Sequence, residues 1–202
     1  MSGSDVQATF IEAATSDDNG ISTAATLSEA GDLTINGALA SGGSVTFDQP
    51  RNVIITSAGD DRGDTFTVTG TDETGAAQTE AITGANAGVA TGSKFFATVT
   101  QIACSGATAG DVEAGSGTSI AAPVFQGSCR LRGLYVVNTG TAGTITFRET
   151  SGTGSIRMQY NTVASANTTE YPDIPDSGIR CNAGAYVVYT QTTMSSMTVF
   201  FS

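Results

Sequence analysis

The chain has 202 residues, 39% of them hydrophobic and only 13% charged, so it carries enough apolar surface for a core and too little charge for a solvated disordered polymer. Its formal net charge is −11, from eight Lys/Arg against nineteen Asp/Glu, which argues against nucleic acid and anionic membranes as partners. His and Trp are absent. Without His, Ser-His-Asp and Cys-His nucleophilic systems are excluded, and zinc has only Cys and carboxylates to hold it.

Taken in order, residues 1–20 are small and polar around Phe10 and Ile11. This segment predicts a flexible arm, or a first strand that docks on a neighbour. Its first ten residues, MSGSDVQATF, lack the basic and apolar regions of a secretory leader, so none is expected. Residues 21–47 hold short alternating runs separated by GD, NG and SGG, which are hairpin signals.

Residues 52–103 form the most regular part of the chain. NVIITS, TFTVTGTD, AAQTEAIT and KFFATVTQIA read as β-branched strands separated by GDDRGD, ETG and a Gly/Asn-rich loop. In TFTVTGTD, Phe66 and Val68 share one face and the threonines the other. KFFATVTQIA breaks period two, which predicts a bulge near Ala97 or burial on both faces. SGATAGDVEAGSGTS then reads as a loop apart from a short DVEAG strand, and AAP at 121–123 marks the domain boundary.

The remainder alternates strands with Gly-rich turns: CRLRGLYVVN, TAGTITFRET, GSIRMQY, GIRCNAG, AYVVYTQ and MTVFFS. Pro172 and Pro175 make 161–178 a loop. In the last strand Phe200 and Phe201 point to opposite faces, so one must meet a second layer or another chain. No run approaches the ~18 apolar residues of a membrane span. The predicted fold is all-β: an N-terminal arm (1–20) followed by two antiparallel β-sandwich or jelly-roll-like domains in tandem, at 21–122 and 123–202.

Charge divides unevenly between these parts. Residues 1–122 hold fifteen acidic and three basic residues, −12, whereas 123–202 hold four acidic residues and five arginines, +1. Arginine without lysine suits fixed pairing better than loose solvation, so Arg130, Arg132, Arg148, Arg157 and Arg180 are the candidate partner-binding residues. The same split also fits two differently decorated domains. Cys104, Cys129 and Cys181 are odd in number, lack CxxC spacing and lie among apolar residues. Buried free thiols are expected, with a Cys129–Cys181 bridge as the alternative.

GDDRGD (59–64) concentrates carboxylates and contains an RGD tripeptide. Its spacing does not match a calcium-binding loop, and a hairpin tip accounts for the residue types; TDETG (71–75) reads likewise. No cofactor, metal site or catalytic constellation is expected, and with no Trp the usual sugar platform is missing.

Residues 52–110, with the TSAGDD turn, FTVTGTD, the TE…ITG strand and KFFATVTQI, resemble a sandwich module of tailed-bacteriophage virion proteins. NTGTAGTITFRETSGTGSIRM, YPDIPDSGIR and AYVVYT…SMTVFFS resemble a second phage structural module. Together the resemblances cover most of 44–202. They imply a non-enzymatic virion protein of the capsid decoration or cement type. Such a protein is assembled in the host cytoplasm, binds the major capsid protein or another virion protein, and forms a homo-oligomer, a trimer being favoured. Neck, tail or fibre association and glycan binding at a host surface are the alternatives. The C-terminal strand edge independently favours a symmetric partner.

Overall fold

A computed structural model describes residues 5–202 and shows an all-β protein with antiparallel sheets and no helix among the described residues. The strands begin with β1 (Gln7–Glu12), β2 (Asp17–Ala25), β3 (Gly31–Asp32), β4 (Ala40–Ser41), β5 (Ser44–Asp60) and β6 (Thr65–Thr71). They continue with β7 (Ala77–Thr83), β8 (Asn86–Thr91), β9 (Phe96–Cys104), β10 (Val112–Phe125), β11 (Cys129–Asn138) and β12 (Thr144–Glu149). The last are β13 (Ile156–Asn161), β14 (Thr169–Glu170), β15 (Ile179–Cys181), β16 (Ala185–Thr190) and β17 (Met194–Phe201).

The chain forms two compact units. One comprises residues 16–118; the other combines 119–202 with the N-terminal residues up to Thr15. The arm anticipated over 1–20 therefore takes a different form, its first four residues lying outside the described ones. Gln7–Glu12 pair in continuous register with Ser196–Phe201, because Ile11 finds a buried place beside β17. Residues from Asp17 onward pair with β10 in the other unit.

In the unit of residues 16–118, β9 lies between β5 and β6, β7 borders β6, and β8 pairs with the second part of β5. Phe66, Phe96, Val45, Ile55 and Ile102 are fully buried at its centre. Three segments differ from the sequence reading. β5 runs straight through Pro50, which sits where the register against β9 shifts between Thr46 and Arg51, so its missing N–H breaks no ladder. The Gly/Asn-rich stretch before Lys94 contains β8, a paired strand. The Gly/Ser-rich segment after Gly110 is β10, and AAP lies inside that strand; the units divide between Thr118 and Ser119. Its glycines serve close packing, since a Cβ on Gly115 would lie 2.3 Å from the Asp17 carbonyl oxygen. In β9 the buried positions are Phe96, Val99, Ile102 and Cys104, and a register shift against β6 between Thr69 and Gly70 produces the broken alternation.

The other unit holds a five-stranded sheet in the order β1-β17-β11-β14, with β15 also on β11, and a second sheet in which β12 lies between β13 and β16. β16 pairs with residues 119–125 of β10. Inward residues of both sheets share one core, including Leu131, Val136, Ile145, Phe147, Met194 and Met197. Phe201 turns into this core, whereas Phe200 is 37% exposed on the opposite side.

Candidate functional site

β11 alternates buried and less buried residues: Cys129, Leu131, Leu134 and Val136 face the core. A register shift between Leu131 and Gly133 places Arg132 at a bulge, so Arg130, Arg132, Gly133 and Tyr135 all turn away from it. β15 sets Arg180 directly opposite Arg130. The three arginines line a concavity of about 370 Å³ with Ser128, Cys129 and Ser202. Arg130 Nη1 donates to the Ser177 carbonyl at 3.0 Å; Arg132 donates to the Asp176 carbonyl at 3.0 Å and to Ser202 Oγ at 2.8 Å.

Aromatic groups continue the same outward face. Phe200 is the register partner of both Ala8 and Gly133, and a Cβ on Gly133 would meet its ring at 3.2 Å. Phe10 and Tyr135 flank Thr198 one step further along. Tyr171 packs edge-on against Tyr135 with ring centroids 5.0 Å apart. Phe10 is 63% exposed and Tyr171 70%, so this face is left apolar in water.

The other two predicted arginines are not part of this face. Arg157 forms an ion pair with Glu149, whose carboxylate is buried and also accepts from the backbone N–H groups of Asn182 and Ala183. Arg148 donates to the Gly154 carbonyl at 2.8 Å, and its Nε is buried without a partner. Both brace the turns around β12. The sequence reading grouped five arginines, and the structure brings three together.

Cys129 and Cys181 are cross-strand partners, and both are free and buried. Burial pushes the Cys181 thiol up to about 11 and raises Cys129 as well, so thiolate character is suppressed at both.

In the acidic unit, the carboxylates of GDDRGD diverge. Asp60 takes a two-point ion pair from Arg62, Asp64 accepts from Ser105, and Asp61 is fully buried, accepting from the Ala109 N–H at 2.7 Å. This is a turn with an anchored floor: Asp61 is buried beneath the tip. Glu73 of the TDETG tip is also buried. Among the described residues no three His, Cys, Asp or Glu side chains are placed to hold a metal ion. A second concavity of about 220 Å³ contains Asp18 as its one ionisable side chain, together with Asn52, Thr91 and Ser116. It holds no acid–base pair.

No protein-family model matches the sequence, and no curated protein matches it either.

Proposed function

We propose that this is a non-enzymatic virion structural protein of the capsid decoration type, built from two sandwich or jelly-roll-like domains, that binds an assembled protein shell. The observation that carries the reading is the outward face of the five-stranded sheet. It combines three arginines with Phe10, Phe200, Tyr135 and Tyr171, in a unit that contains six of the nineteen carboxylates. Arginine and aromatic residues are the types enriched at the centres of protein interfaces. The unit of residues 16–118 holds thirteen acidic against three basic residues, a composition suited to remaining in water. β1 ends its sheet among the described residues, which favours pairing within a symmetric homo-oligomer, a trimer in this reading.

Copy number in the intact particle tests it. A count matching the shell lattice supports decoration of the major capsid protein; a few copies per particle assigns the protein to a neck, tail or fibre. The Tyr135–Tyr171 pair, with Tyr171 exposed and Tyr135 half-buried, favours one second reading, a glycan-binding surface. Glycan-array binding that disappears in Tyr171→Ala would establish it; an array without signal would dismiss it.

A further inference from the structure

We propose that the Arg130–Arg132–Arg180 concavity is a carboxylate-recognition site that takes a short acidic segment of a protein partner. Like charges placed directly opposite on neighbouring strands repel, and Arg130 and Arg180 are such a pair with Arg132 beside them. No carboxylate of the described residues forms an ion pair with any of the three. Their hydrogen bonds run to the carbonyls of Asp176, Ser177 and Gly178 and to Ser202 Oγ, which orient Arg130 and Arg132 without an ion pair.

The orientation is built in. Gly178 has φ +70°, and a Cβ there would lie 2.7 Å from the Leu131 carbonyl oxygen, so glycine lets the 175–178 turn close against β11 and present those carbonyls. Each guanidinium carries five N–H donors in a planar fork that matches a carboxylate. Most of these donors remain for a ligand, and Arg180 is left exposed for one.

Size and field select the ligand class. About 370 Å³ accommodates one or two acidic side chains and not the length of a nucleic-acid groove. The chain's −11 charge repels a long polyanion, whereas a short acidic segment meets the local charge alone. Phe200 and Tyr135 beyond the arginines give apolar residues of such a segment a place to rest. The inference rests on the arginine-bearing unit being the one that faces a partner.

The full chain is titrated with a fluorescent, blocked peptide of alternating Glu and Gly, and separately with inorganic phosphate and a single-stranded oligonucleotide. Saturable peptide binding is expected, weakening as salt rises and falling about tenfold or more in Arg180→Glu. Lys94→Glu, in the acidic unit, should bind as the parent does, and an unchanged melting temperature certifies the fold of each variant. The proposal is overturned if the peptide does not bind, if Arg180→Glu and Arg132→Glu bind it undiminished, or if phosphate or the oligonucleotide saturates the site where the peptide does not. Peptide binding by a chain that ignores shells would defeat the virion reading alone; shell binding without peptide binding would defeat this inference alone.

Discussion

The two units bury their cores by the same means and spend their charges differently. In residues 16–118 several ionisable groups are turned inward to hold turns and bulges. Glu80 accepts from Ser93 N–H and Oγ and from Lys94 N–H, Asp61 anchors Ala109, and Arg51 is buried over the Phe47 ring. In the other unit Glu149 and Arg157 do comparable work, but three arginines and four aromatic groups are left together on one outer face. Charge that already has a fixed partner inside the molecule is architecture; charge and apolar surface left without one suit a partner outside it.

The largest expected effect tests whether the cores are equivalent. Phe66→Ala and Phe147→Ala each remove a fully buried ring and should each cost about 3–5 kcal/mol in denaturant unfolding. A cost below about 1 kcal/mol at either position would mean that its unit is not packed as described.

A smaller effect separates the two kinds of arginine. Glu149→Ala leaves Arg157 and two backbone N–H groups without their acceptor and should cost about 3 kcal/mol. Arg180→Ala should change stability by less than about 0.5 kcal/mol in the same measurement. Equal costs would erase the distinction between bracing and outward-facing arginines.

The smallest stability effect depends on pH. Partial burial works to raise the Asp72 pKa, but hydrogen bonds from Thr74 Oγ1 and N–H and from the Ala76 and Gly75 N–H groups outweigh it, and the net direction is down from 3.8. A lowered carboxyl pKa stabilises the fold above its unfolded value, and that contribution is lost as pH falls through the folded value. Asp72→Asn should therefore lower stability slightly at pH 7, with the difference from the parent shrinking as pH falls through the lowered folded value.

The thiols give a kinetic check. Alkylation of Cys181 in the native protein should be slow near neutral pH and rise about tenfold per pH unit until close to 11. Fast labelling at pH 7 would show that β15 does not stay on β11.

The C-terminal strand, read as an edge, lies instead between β1 and β11; the strands with β-branched runs and the Gly-rich turns between them were legible because local patterning and tertiary packing agree there. β8 was not, and of β10 only the DVEAG start was. The glycines of β10 satisfy close approach, Gly115 to backbone and Gly117 to the Asn52 side chain, a tertiary demand that reads locally as loop. β1 was open between arm and strand because its partner lies nearly the whole chain away. The arginines were found by composition, but only register separates Arg130 and Arg180, placed opposite each other, from Arg157, which Glu149 claims. The aromatic face needed the same knowledge, since Phe10, Tyr135, Tyr171 and Phe200 come from four distant segments.

Shell binding by outer-face variants tests the central claim most directly. Particles lacking this protein are mixed with the parent chain, Phe10→Asp, Arg180→Glu, or Arg62→Glu from the acidic unit, and sedimented. The account predicts that Phe10→Asp and Arg180→Glu stay in the supernatant while the parent and Arg62→Glu pellet with the shells. Retention of both outer-face variants together with loss of Arg62→Glu would contradict it.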